Sequence, residues 1–187
     1  MKRISFILFL LSFSLFTACS DDDNANEQED DSSELTGTLT GDWNLTGLTA
    51  SDGTLNTTVE GQAVSLSYTA IGKDFNTEVS FSESPNVVTS SGSFTTEVTF
   101  SFFGIEESQE VPGQEFAIVG TWSLEGDQLT ILNTTTSEER IATVTTLTDT
   151  TLIFEIEIDE NLEDSTLFEG FDLTGTITGT VVYTLTK

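Results

Sequence analysis

In the segment SFTTEVTFSFF, apolar and polar side chains alternate strictly. Phe94, Thr96, Val98, Phe100 and Phe102 fall on one face, and Thr95, Glu97, Thr99 and Ser101 on the other, because successive side chains of an extended strand point to opposite sides. The same pattern recurs along the chain. Leu152, Phe154, Ile156 and Ile158 oppose Glu155 and Glu157 in TLIFEIEI, and VSLSYTA aligns Val64, Leu66 and Tyr68. EFAIVGTWSL aligns Phe116, Ile118, Trp122 and Leu124, and LTGTITGTVVYTL aligns Leu173, Ile177, Val181, Tyr183 and Leu185. One buried face and one wet face belong to antiparallel sheets. The residues after Leu35 are rich in Thr, Val, Ile and Phe, with prolines only at 85 and 112, which is strand composition. No segment carries the periodicity of an amphipathic helix. Turn signals such as SDGT, SSGS and EGDQ divide the region into about eight to ten strands. An open sheet of that many strands would expose two long raw edges, so the expected fold is an all-β, antiparallel, up-and-down β-barrel. Gly175 and Gly179 share the inward face of the last strand, where a missing side chain permits a bend or leaves internal space.

Charge and composition exclude several functions. The chain carries 32 acids against 5 bases and has no histidine. Lys2 and Arg3 precede Cys19 and every acid follows it, so the remainder carries 3 − 32 = −29. Nucleic-acid binding needs clustered Lys and Arg to displace phosphate counterions, and so does a polybasic membrane contact. Neither is expected. The absence of histidine removes the commonest general base and metal ligand, and a lone cysteine allows neither an internal disulfide nor a Cys/His zinc site. The acidic run DENLEDS, Asp159 to Ser165 with Glu169 nearby, lacks the ligand spacing and glycine of an EF-hand loop. Glu106, Glu107 and Glu110 do not define a carboxylate pair for glycoside hydrolysis, since acids occur everywhere. The expectation is a non-enzyme with no catalytic residues, no metal and no cofactor.

Cys19 stands on a seam. Before it, MKRISFILFLLSFSLFTA has basic residues, an apolar run from Ile4 to about Phe16 and small residues at Thr17 and Ala18, the arrangement of a secretory signal. That run is shorter than the ~20 apolar residues needed to span a bilayer. After it, residues 21–34 are acids, Asn, Gln, Ser and one Ala without apolar periodicity, a composition that cannot bury enough surface to fold and reads as a flexible tether.

Thr17-Ala18-Cys19 resembles the lipobox of bacterial lipoproteins, where signal peptidase cuts before a cysteine that then receives diacylglycerol. The usual Leu three residues before the cysteine is Phe16 here. Ser20-Asp21-Asp22-Asp23 is similar to the surface-export signal of Bacteroidetes lipoproteins. Farther on, GDWNL (Gly41 to Leu45) recurs as GTWSL (Gly120 to Leu124). The G-x-W of each resembles the lipocalin motif, in which the Gly permits a turn and the Trp plugs the closed barrel end. With EGDQLTI, FSESPNVVTSSGSF and the closing GTVVYTLTK, the resemblance to Bacteroidetes lipocalin-like lipoproteins covers most of the chain. It implies a lipidated Cys19, an export signal at Ser20, Asp21, Asp22 and Asp23, and Trp43 and Trp122 as structural plugs. Eukaryotic lipocalins pack an Arg near the C-terminus over the Trp; the base at this end is Lys187. Asp149-Thr150-Thr151 and Asp164-Ser165-Thr166 are similar to the O-glycosylation motif of Bacteroidetes exported proteins.

The expected organisation is a lipoprotein signal peptide over 1–18, a lipidated cysteine and acidic tether over 19–36, and a barrel over 37–187. The resemblance implies an outer-membrane lipoprotein exposed at the cell surface, held to the membrane by its N-terminal lipid. A barrel of about eight strands either holds one small ligand or is filled with side chains. The expected function is non-covalent binding of a small apolar or amphipathic ligand, with Tyr68, Phe100, Phe102, Phe154 and Tyr183 as candidate lining. The alternative is a filled, non-catalytic barrel for protein or glycan interaction. Two or more acyl chains suffice for stable anchoring, so Cys19→Ala is expected to abolish membrane retention. Fractionation of cells expressing the full chain checks this.

Overall fold

The computed structural model describes residues 34–59, 62–162 and 175–187. The leader, Cys19, the Ser20–Asp23 signal, Leu173, Glu169 and the motif at Asp164 lie outside them. The described residues form ten strands: β1 (Glu34–Leu35), β2 (Gly41–Val59), β3 (Gln62–Ser82), β4 (Val87–Phe102), β5 (Ile105–Gln114), β6 (Gly120–Glu125), β7 (Gln128–Leu132), β8 (Glu139–Leu147), β9 (Thr151–Leu162) and β10 (Gly175–Thr186). Neighbours run in the order β8-β7-β6-β4-β3-β2-β10-β9, and β9 returns to pair with β8. The sheet therefore closes into a barrel-like ring of eight antiparallel strands in up-and-down order. β1 adds a short parallel pairing, Glu34 to Thr146 and Leu35 to Leu147. Sequence reading placed these two residues in the tether; Leu35 packs against the core.

One position in the ring is shared. β5 pairs with the upper part of β4, from Phe94 to Phe102, whereas β6 pairs only with its base at Val87 and Val88. Both run antiparallel to β4, so together they make one strand interrupted at residues 115–119. Alternation in EFAIVGTWSL predicted an unbroken strand here. Instead Phe116 and Ile118 turn into the core without joining a ladder. The Ser90 hydroxyl donates to the Phe116 carbonyl and accepts the Ile118 N–H at 2.9 Å, so a β4 side chain supplies hydrogen bonds that a strand neighbour would otherwise make.

The inward rows follow the predicted alternation. One end of the ring is packed solid with Trp43, Leu45, Val79, Phe81, Val88, Leu129, Val144, Leu152 and Leu185, all fully buried. Trp43 is the centre of this end. Its indole N–H donates to the Leu39 carbonyl at 2.8 Å, and the Lys187 ammonium lies 4.3 Å from its ring centroid. Lys187 also donates to the Thr40 carbonyl at 3.2 Å, so the base at the C-terminal end packs over the Trp43 ring. Gly41 makes room for it: a Cβ there would stand 3.2 Å from the Lys187 Cε. Gly120 of the second G-x-W answers a different need, since its Cβ would fall 2.0 Å from the Leu132 carbonyl oxygen on β7. Trp122 is only partly buried, edge-on to Phe81 at 5.9 Å, with its N–H on the Ser82 carbonyl.

These environments separate the two tryptophans energetically. Trp43→Ala empties a fully buried site and is expected to cost about 3–5 kcal/mol. Trp122→Ala, which loses a ring that is only partly buried, is expected to cost clearly less. Urea unfolding of the two variants, compared with the parent at equal slope, checks the order.

Candidate functional site

Above the packed end the inward side chains become small. Ala50 on β2, Ala70 on β3 and Ala142 on β8 stand at the level where Leu45, Val79 and Val144 would otherwise be continued, and the ring encloses a cavity of about 540 Å³ there. Leu48, Phe94, Val98, Ile131, Ile156, Ile158, Ile177 and Val181 give it apolar walls. Its opening is bordered by the interrupted strand (Gln114, Glu115, Val119), by the β7–β8 connection (Asn133, Glu138), by Arg140 near the start of β8 and by Glu160 near the end of β9. This is the size and character of a small-molecule pocket.

Tyr68 and Tyr183 both line it. Tyr68 is 5% exposed and lies across two glycines. A Cβ at Gly53 would fall 2.1 Å from its ring, and one at Gly179 would stand 3.1 Å from its hydroxyl. The expected internal space at Gly179 is therefore taken up by a phenol. At Gly175 the close neighbour is the Asn56 carbonyl of β2. Tyr183 stacks on Phe154 at 5.3 Å and meets Phe116 at 5.0 Å, a three-ring cluster that joins the cavity wall to the packed end.

The other candidate lining residues sit elsewhere. Phe154 is 1% exposed and belongs to that cluster, beneath the cavity surface. Phe100 is partly buried and packs against the core, tilted at 6.2 Å against Tyr68, its cross-strand partner on the same face, without lining the cavity itself. Phe102 does not line the cavity. It is 40% exposed at the end of the β4–β5 hairpin beside Phe103, which is 91% exposed. The β3–β4 pairing ends at Ser67–Ser101, one residue before Phe102, and Phe102 lies with Phe103 beside Ala63, Val64 and Ser65 of β3 instead of in the cavity. Conversely, alternation alone did not single out Ala50, Ala70 and Ala142, whose small size creates the space.

Electrostatically the cavity is dry inside and charged at the rim. Arg140 and Glu160 approach to 3.8 Å and are both largely exposed. Burial pushes both phenols above the ordinary tyrosine value; at Tyr183 the nearby Arg140 opposes the rise and Glu160 adds to it. Neither hydroxyl has a hydrogen-bond partner among the described residues. Glu106, Glu107 and Glu110 lie on the exposed β5, where Glu110 and Glu97 bracket the Lys73 ammonium at 3.3 and 2.6 Å. Among the described residues no group of three or more carboxylates or cysteines converges as a metal site.

Because the folded state favours the neutral phenols, the stability they lend is complete below the unfolded tyrosine pKa of about 10 and is lost as pH rises through the higher folded values. The chain has only two tyrosines, so tyrosinate absorbance reports on this cavity alone. The native titration is expected to lie at higher pH than that of the urea-unfolded chain, and Tyr183→Phe should leave a single delayed step from Tyr68. Coincident native and unfolded curves would mean the phenols are solvated.

Compared with known proteins, the chain matches no family model, no curated protein and no solved structure.

Proposed function

We propose that this protein is a lipid-anchored, surface-exposed binder that holds a small apolar or amphipathic ligand non-covalently in the barrel cavity. The observation that carries the reading is a cavity of about 540 Å³ with apolar walls, left open by small inward residues at the end opposite Trp43. Protein interiors are ordinarily packed to crystal-like density, and an unfilled apolar space of this size costs stability. Retaining it is consistent with an occupant. Binding would consist of transfer of apolar surface from water into the cavity at ~25 cal/mol per Å², with no bond made or broken. In this reading Cys19 supplies the anchor and Ser20, Asp21, Asp22 and Asp23 the address, with the acidic tether holding the barrel clear of the membrane. The filled-barrel interaction module is favoured by one feature, the exposed Phe102, Phe103 and Ile105 at the β4–β5 tip.

The two readings part on a cavity-filling substitution. A neutral solvatochromic dye such as Nile red is expected to bind the parent protein at micromolar concentration. Ala70→Trp and Ala142→Trp, which place an indole in the empty space, should abolish that binding while the far-ultraviolet circular dichroism stays that of the parent. Tyr68→Phe, which keeps the shape, should retain it. Trp122 does not line the cavity, so dye fluorescence is a better signal than tryptophan quenching. No dye uptake by the parent, or uptake unchanged in both tryptophan variants, would sink the binder reading.

A further inference from the structure

We infer that the ligand is a cationic amphiphile: an apolar body seated in the cavity and an ammonium group held at its acidic mouth. This rests on the binder reading above and adds the charge of the occupant.

The described residues contain three bases, and their positions differ. Lys187 is committed to the closed end over Trp43. Lys73 is taken by Glu97 and Glu110 on β4 and β5. Only Arg140 lines the cavity, and it does so with Glu115, Glu138 and Glu160, so the rim carries 1 − 3 = −2. Arg140 is already within 3.8 Å of Glu160, which leaves Glu115 and Glu138 uncompensated by any other base of the lining. The described residues around that rim carry 20 acids against 3 bases, 3 − 20 = −17. A cleft of one sign with low-dielectric walls focuses that field and concentrates the counter-charge at its mouth. A carboxylate or phosphate head would meet repulsion from the rim and from the whole molecule.

A second observation marks ligand space independently of charge. Tyr68 is 5% exposed, lines the cavity, and has a hydroxyl with no partner among the described residues. The hydroxyl is not one of the buried unpaired atoms, so it opens onto the cavity, where water or the polar part of an occupant can meet it. The lining also presents aromatic rings at Phe94, Phe116 and Tyr183, which give the apolar body of such an amphiphile a large apolar contact area below the rim.

The test compares dodecylammonium, dodecanol and dodecanoate, all below their micelle-forming concentrations, as competitors of the neutral dye. Surface adsorption is subtracted with Ala70→Trp, which keeps every charge but fills the cavity. Dodecylammonium is expected to bind about tenfold tighter than dodecanoate, the scale of two rim charges acting through a largely aqueous path, with dodecanol between. The preference should shrink as salt rises. The combined variant Glu115→Gln, Glu138→Gln and Glu160→Gln should remove it without changing dodecanol affinity, whereas Arg140→Gln should widen it. Dodecanoate binding as tightly as dodecylammonium, or selective loss of dodecanoate in Arg140→Gln, would overturn the inference while the dodecanol result upholds the cavity reading. Failure of all three to displace the dye would overturn both.

Discussion

The interior of this protein exists because its last long strand reaches its first. β10 pairs with β9 along its whole length and with β2 along the other edge, from Gly175–Thr57 to Thr186–Asn44. That pairing removes the two raw edges that a meander of these strands would otherwise expose. It also fixes the circumference, because strand number and stagger set the diameter of a closed sheet. The β2–β10 ladder slips in register between Thr178 and Val182, and the slip spans Gly179, which faces Gly53 with Tyr68 over both. Two missing side chains on adjacent strands let the sheet bend where the ring must turn, and the aromatic ring of a third strand covers the bare backbone. A side chain at Gly53 would compete for the volume of the Tyr68 ring, so closure and the cavity wall depend on the same few atoms.

Once the circumference is fixed, side-chain volume decides which part of the interior is solid. Along the inward rows the large residues gather at one level: Trp43 opposite Val79, Phe81 opposite Val88, Leu152 opposite Leu185. A turn of sheet higher, β2, β3 and β8 present alanines. The transition between levels is made by Phe116, Phe154 and Tyr183, of which Phe116 comes from the irregular segment within the β5–β6 position. A regular strand there would hydrogen-bond along β4 and close the wall. The interruption instead sends one aromatic side chain down as floor and leaves the backbone above it as one side of the opening.

Much of this was legible in sequence because strand periodicity is a local property. Of the inward sets read from SFTTEVTFSFF, TLIFEIEI and the C-terminal strand, Phe94, Val98, Leu152, Phe154, Val181 and Leu185 are buried, Phe100, Ile156, Ile158, Ile177 and Tyr183 are partly buried against them, and Phe102 at the hairpin end is exposed. Closure into a ring was legible from strand number alone. The sequence did not reveal whether an inward residue meets a neighbour or a void, since that depends on residues far apart in the chain: Ala70 and Ala142 are unremarkable singly and define a cavity only when β3 and β8 face each other. Nor did it reveal that Lys187 reaches Trp43, a contact across nearly the whole described chain. The break at residues 115–119 escaped detection because Phe116 and Ile118 keep the period of a strand while their backbone does not.

The distribution of charge follows the same inward–outward logic and constrains what the opening can accept. Glu78 and Glu157 project from the wet face, and Glu97 and Glu155 lie on it partly exposed, so the large negative charge is spread in water and costs the fold only screened repulsion. Arg140 and Glu160 break that rule. They continue the inward rows of Ala142 and Val144 on β8 and of Phe154, Ile156 and Ile158 on β9, so at the opening the interior face itself turns from hydrocarbon to ions within a single two-residue step. A wholly polar molecule would have to be desolvated against Ile156 and Ile158, at a cost set by its unmet hydrogen bonds. A wholly apolar one would leave the hydrocarbon step only partly covered beneath a charged rim. The occupant that matches both sides of the step has an apolar body and a polar end, oriented with that end outward.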